Sequence, residues 1–198
     1  ITHEIRNPLN AIGLNAELLA EELAQLPEPP REALPLVAAI SREVDRLEAV
    51  AEEYLKFARL PRAAPAPLDL DELVASLLDF VGPELSAARI EVVRELAGGL
   101  PAVEGDEAQL RAVALNLVRN SREAMAGGGT LRVRTRRAAG GVELEVEDTG
   151  GGMPPEVLAR IFEPFFTTKE RGTGLGLAYA RRVVAEHGGR IQCDSAPG

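Results

Sequence analysis

Apolar residues in the first part of the chain recur at alternating steps of four and three. Ile5, Leu9, Ile12, Ala16, Leu19, Leu23 and Leu26 form one helical seam, and Val37, Ile40, Val44, Leu47, Ala51, Tyr54 and Ala58 form a second. Pro27, Pro29 and Pro30 end the first helix, and Pro8 inside it predicts a kink. The pattern predicts a helical hairpin with an apolar stripe on each arm. Two arms of this length cannot satisfy both stripes, so a homodimeric four-helix bundle is expected ahead of a hairpin packed on its own second domain.

After Leu60 the pattern changes. Pro61, Pro65 and Pro67 mark a Pro/Ala linker over 61–68. Beyond it, Leu68 to Val81 reads as a helix and Arg89 to Leu96 as a strand. Asp106 reads as the N-cap of a strong helix, with Gln109 completing a capping-box variant, and Gly127-Gly128-Gly129 ends that helix. Two strands follow. Leu131, Val133 and Thr135 alternate with Arg132, Arg134 and Arg136, then Val142, Leu144 and Val146 with Glu143, Glu145 and Glu147. An Arg row opposite a Glu row is cross-strand pairing on a solvated sheet face, which accounts for those charges without any function. A helix near Leu175 to His187 and a strand from Arg190 close the pattern. The expected fold is α+β: a helical hairpin followed by an α/β sandwich with helices on one face of a mixed sheet.

Composition narrows the function. The chain has 198 residues, 45% of them apolar, and a mean hydropathy of -0.03, as expected of a globular chain. Lys+Arg 22 against Asp+Glu 31 gives a net charge of -9, which disfavours a nucleic-acid or anionic-membrane partner. No run approaches the ~18 apolar residues that cross a bilayer. Cys193 is the single cysteine and there are two histidines, too few for an internal disulfide or a His/Cys zinc cluster. The N-terminus has neither an initiator Met nor a signal-peptide pattern, and the segment is expected to be a piece of something longer.

The candidate chemistry lies in five short stretches. His3-Glu4 stands beside the seam residue Ile5, so both face away from the seam, and Asn7 shares the face of His3 one turn on. An exposed imidazole is a usable nucleophile that an adjacent carboxylate can orient and deprotonate. Asn116, Asn120 and Glu123 share one helix face, a set of oxygens suited to a hard cation that also carries phosphates. Asp148-Thr149-Gly150-Gly151-Gly152 follows a strand. It reads either as an acidic acceptor for an exocyclic amine with a closely approaching backbone, or as an Asx turn. Phe162 to Lys169 then leads to Gly172-Thr173-Gly174-Leu175-Gly176, glycines opening a helix whose N–H groups suit an anion. This is neither a Walker A loop nor GxGxxG.

In this order the stretches resemble the H, N, G1, F and G2 boxes of the sensor histidine kinases of two-component signalling. HEIRNPLNAI and FEPFFTTK-x-x-GTGLGLA are most similar to the nitrogen-regulation type. The resemblance implies a dimerisation and histidine-phosphotransfer domain over 1–60 and an ATP-binding domain of the Bergerat fold over 69–198. It implies a protein-histidine kinase that uses ATP and Mg²⁺, with His3 as phosphoacceptor, Glu4 as its base or orienting partner, and Asn7 placing a water for phosphatase activity. Asn120 would ligate the metal with Asn116 and Glu123 completing its face, and Asp148 would read the adenine amine with Gly150 and Gly152 close to the base. Phe165, Thr168, Lys169, Gly172, Thr173, Gly174, Leu175 and Gly176 would form the lid and phosphate segment. The implied partners are a second copy and the receiver domain of a response regulator, in the cytoplasm, on a parent that can carry a sensor or an inner-membrane anchor. Leu14, apolar on the stripe of His3 and Asn7, is expected either to belong to the receiver-docking face or to widen the bundle core. Only two residues precede His3, and the chain stops before the Gly-Thr-x-Phe strand that normally completes this domain. The alternatives are a degenerate nucleotide-binding scaffold and another Bergerat-fold ATPase, the latter having no reason to carry HExxNP.

Overall fold

Both heptad seams are helical. In the computed structural model, which describes residues 2–26, 33–58, 60, 62–169 and 172–197, α1 spans Thr2–Ala24 and α2 Ala33–Ala58. Within this hairpin the two seams divide by alternate layers. Leu9, Ala16, Val37 and Val44 are buried between the arms, whereas Ile12, Leu19, Leu26, Ile40, Leu47 and Tyr54 remain exposed. Each arm therefore spends one heptad position on its neighbour and leaves the other open.

The chain divides into two compact units, Ile1–Leu60 with Thr167–Leu175, and Pro61–Phe166 with Gly176–Gly198. The second unit opens with β1 (Ala66–Leu68), inside the stretch expected as linker. It pairs antiparallel with β3 (Val103–Gly105), because Pro67 sits where a short edge strand needs no donor. Helix α3 runs Leu70–Ala87, starting later and ending later than its pattern predicted. Asp69 caps it by accepting the N–H groups of Asp71 and Glu72 at 2.8 and 3.1 Å. It continues through Pro83 because the next turn buries Leu85. Then come β2 (Ile90–Glu95), α4 (Glu107–Ala124), β4 (Gly129–Ala138), β5 (Gly141–Asp148), the single turn α5 (Pro155–Leu158) and α6 (Gly176–Glu186).

The main sheet has the order β2-β4-β5, parallel then antiparallel. Its inner face carries Ile90, Leu131 and Val133 against Leu73, Val74, Leu77, Leu78 and Val81 of α3 and Ala114 and Val118 of α4. On the outer face the register places Arg132, Arg134 and Arg136 opposite Glu147, Glu145 and Glu143, with ion pairs of 3.2, 2.7 and 2.5 Å. Those charges are structural, as their alternation indicated. The strand expected from Arg190 is absent: residues 190–197 are irregular. A strand exists only by pairing, and β5 has β4 as its one neighbour among the described residues.

Candidate nucleotide site

Helix α4 carries Asn116, Asn120 and Glu123 on one face because they are spaced by about a turn. Its N-terminus is fixed by Asp106. The Asp106 carboxylate accepts the Ala64 N–H through Oδ2 and the Gln109 N–H through Oδ1, each at 3.0 Å, and these bonds, Ala64's first, hold its pKa below the ordinary value. The reciprocal half of the expected capping box is not made. The Asp106 N–H instead donates to His187 Nε2 at 3.0 Å, so α6 supplies the acceptor that the Gln109 side chain was expected to provide.

Asn116 is half-buried, and its Nδ2 is buried with no hydrogen-bond partner among the described residues. Its Oδ1 lies so close to Gly176 that a Cβ there would collide with it. Helix α6 therefore begins hard against Asn116, and a larger residue at 176 would have to displace the Asn116 amide. An orphaned amide donor beside a helix N-terminus suits an anionic ligand. An amide nitrogen cannot ligate a cation, whereas the side-chain oxygens of Asn120 and Glu123 on the same face are of the type that can.

At the end of β5, Asp148 Oδ1 accepts the Gly150 N–H at 2.9 Å, which is the Asx turn that the sequence allowed. The close approach the described residues show at Gly150 is to the protein itself. A Cβ on Gly150 would lie 2.8 Å from Ala124 Cβ and 2.9 Å from Ala124 O, at the last turn of α4. Thr149 ties the loop down: its Oγ1 accepts the Thr130 N–H at 3.0 Å and its own N–H donates to Thr130 O at 3.2 Å. Further on, Gly152 has φ 66° and the Met153 N–H donates to Ser195 Oγ at 2.9 Å. The loop is thus seated across the end of the helix that carries Asn116, Asn120 and Glu123.

The Phe-rich stretch is braced by cations, with the Arg160 guanidinium 4.2 Å from the centre of Phe166 and Arg181 5.8 Å from that of Phe162. Phe165 is exposed and has φ 66°, an uncommon conformation for a bulky residue. The segment Thr167–Leu175 belongs to the first unit. In it, the Lys169 N–H donates to Thr167 Oγ1 at 3.1 Å and the Leu175 N–H to Thr173 Oγ1 at 3.3 Å. Thr168 and Lys169 are exposed, Gly172, Thr173 and Gly174 are half-buried, and Leu175 is buried. His3, Glu4 and Asn7 lie on α1, and their side chains fall outside the described residues.

The structure therefore assembles Asn116 with Gly176, and Asp148 and Gly150 with the end of α4. Three contributors went unnoticed in the sequence, Ala124, Ser195 and His187, and Thr149 was read only as a member of its loop. Of the three, only His187 carried a local signal, the Gly188-Gly189 that follows it as a helix stop. No cluster of three His, Cys, Asp or Glu side chains able to hold a metal occurs among the described residues, and none of their helices is long and apolar enough to cross a membrane.

Comparison with known proteins identifies the family. Residues 1–62 match the His Kinase A (phospho-acceptor) domain, and residues 105–198 the histidine kinase-, DNA gyrase B-, and HSP90-like ATPases. The sensor histidine kinase ZraS of Klebsiella oxytoca is 36% identical over 199 residues, covering 100% of this chain and 42% of its own length. The chain thus spans about two-fifths of that curated relative. Full-length ShkA in complex with AMPPNP superposes with a TM-score of 0.72 and 32% identity over 94% of this chain and 40% of that one. The histidine kinase ThkA in complex with the response regulator protein TrrA gives 0.66 and 27% over 94% of this chain and 53% of that one. The phospho-acceptor match separates the chain from the gyrase and HSP90 ATPases that share the second fold. With an acceptor helix on one unit and an ATPase-type site on the other, the chain belongs to the sensor histidine kinases of two-component signalling.

Proposed function

We propose that this segment is the catalytic core of an ATP-dependent protein-histidine kinase. In this reading residues 1–60 dimerise and accept the phosphoryl group, 61–68 link, and 69–198 bind ATP. The observation that carries it is the seating of the Asp148–Gly152 loop and the N-terminus of α6 on the one helix that bears Asn116, with its orphaned amide nitrogen. Asp148 accepts the adenine amine, Gly150 and Gly152 admit the base, and the N–H groups from Gly172 to Gly176 and the Lys169 ammonium take the phosphates. Phe165 and Thr168 belong to the lid over them. Asn120, aided by Glu123, would hold Mg²⁺, which when bound neutralises phosphate charge. Asn116 Nδ2 donates to a ligand oxygen.

The chemistry on the acceptor side is the residues' own. A nitrogen of His3 attacks the γ-phosphorus as the bond to the leaving ADP oxygen breaks, and Glu4 takes the ring proton. Phosphoryl transfer of this kind depends on positioning and charge neutralisation more than on covalent help from the protein. The phosphohistidine then passes its phosphoryl group to an aspartate of a response regulator in the cytoplasm. Asn7 places the water that later removes that group from the regulator. A second copy covers the open heptad layer of Ile12, Leu19, Ile40 and Leu47. Each such side chain gains roughly 1 kcal/mol on burial.

Incubation with γ-labelled ATP and Mg²⁺ tests the reading. Acid-labile, base-stable label that vanishes in His3→Gln is expected. Nucleotide binding without label would instead indicate a scaffold, and release of free phosphate without label another ATPase of this fold.

A further inference from the structure

Helices α4 and α6 pack against each other, and two contacts ten residues apart on α4 and eleven apart on α6 define how. At one end Asn116 meets Gly176, and at the other Asp106 meets His187. The pair is therefore antiparallel. The two spans, about 15 and 16.5 Å at 1.5 Å per residue, match closely enough that both contacts form in a single register.

The His187 end is built for that task. Residues 184–189 close α6 as a Schellman turn: the Gly189 N–H donates to Val184 O at 2.9 Å and the Gly188 N–H to Ala185 O at 3.0 Å, with Gly188 at φ 73°. His187, the last residue before this left-handed glycine, is held in place by its own backbone. Its ring makes two bonds of opposite sense. Nε2 accepts the N–H of Asp106, an obligate donor, so the ring proton sits on Nδ1 and is donated to Val183 O at 2.8 Å. Gly105 lies beneath the ring: a Cβ there would touch His187 Cδ2 at an ordinary 3.5 Å, and its one close approach would be to the end of the Leu110 side chain at 2.6 Å. The same Asp106 accepts the Ala64 N–H, so the strand entering this unit is tied to the same point.

We propose that His187 is a positioning residue for the nucleotide site. As a neutral, Nδ1-protonated imidazole it locks the last turn of α6 to the N-cap of α4, and so fixes Gly176 and the N–H groups behind it against Asn116 at the other end. This rests on the ATP-binding reading of that site. Among side chains, neutral His, Asn and Gln place a donor and an acceptor on different atoms of one planar group, and Gln carries its amide at about the distance of Nε2, so its oxygen can accept the Asp106 N–H.

The test compares wild type, His187→Ala, His187→Gln and Leu77→Ala, a core change on α3, in the full 198-residue chain. The readouts are the dissociation constant for Mg²⁺-ATP and the melting temperature, with binding measured well below every transition. His187→Ala should weaken nucleotide binding roughly tenfold. His187→Gln should recover to within about threefold of wild type. Leu77→Ala should lose thermal stability while keeping the wild-type constant. Long-range proton–nitrogen spectra of wild type should give the Nδ1–H tautomer for His187. Unchanged binding in His187→Ala, equal losses in the Ala and Gln variants, or an Nε2–H tautomer would each overturn the proposal. Should His187→Ala not fold, the tautomer and the Gln variant still decide. Wild-type protein that binds no nucleotide would overturn the ATP-binding reading and this proposal together, whereas wild-type binding with an unaffected Ala variant overturns this proposal alone.

Discussion

Thr135 is the polar residue on the buried face of β4, and its surroundings explain it. Its hydroxyl donates to Asp71 Oδ1 and accepts the Ala97 N–H at 3.0 Å, joining the start of α3 to the chain after β2. Thr135→Val keeps the shape and leaves the Ala97 N–H without its partner, and a loss of about 1–3 kcal/mol in denaturant unfolding is expected. Alternation placed Thr135 on the inner face, but its two partners are 38 and 64 residues away and were not legible there. Asp106 gives a pH prediction. Its carboxyl titrates below the ordinary value of 3.8 because Ala64 and Gln109 donate to the charged form. Such a group stabilises the fold above its unfolded pKa and ceases to as pH falls through the lower folded value. Asp106→Asn keeps one acceptor oxygen and loses both the second acceptor and the charge, so its melting temperature should trail wild type at neutral pH, by a margin that narrows as pH falls below about 4.

At the scale of elements, α4 and the two segments seated on it make the candidate site. Gly176 is required there by space: a Cβ would collide with Asn116 Oδ1. Gly176→Ala pushes α6 off Asn116, and the expected outcome is at least tenfold weaker Mg²⁺-ATP binding by titration, with helix content by circular dichroism unchanged. A protein that binds as tightly as wild type would show that α6 need not lie where it does. The motif order alone indicated that Gly176 mattered, and the reason, contact with Asn116 sixty residues earlier in the chain, came from packing. The cross-strand charge rows went the other way. That an Arg row faces a Glu row followed from sequence alternation, and the two-residue hairpin at Ala139-Gly140 then sets which pairs meet while Leu131 and Val133 stay buried.

For the whole molecule, the open half of the heptad is the feature that calls for a second copy. Ile40 is 46% exposed and Leu14 57% exposed, yet the seam contains Ile40 and excludes Leu14. Ile40→Glu should therefore dissociate the dimer in analytical ultracentrifugation and abolish labelling of His3. Leu14→Glu should leave dimer and self-labelling intact while slowing transfer to the receiver domain severalfold. If both variants dissociate the protein, Leu14 belongs to the bundle and the docking role is lost.

The two long hairpin helices, α3, α4, α6 and the strands β2, β4 and β5 were legible in the sequence, as was the order of the candidate motifs. Heptad spacing, strand alternation, proline and glycine breaks and the ordered boxes are all local or periodic, and local physics reads them. Tertiary structure decided which heptad layer closes within one chain, that Ala66–Leu68 pairs with Val103–Gly105 while residues 190–197 do not form a strand, and that His187 rather than Gln109 serves the Asp106 N–H. Each is a choice among partners distant in the chain. Hydrogen bonds and close packing are settled by whichever group arrives, and no spacing along the sequence records that.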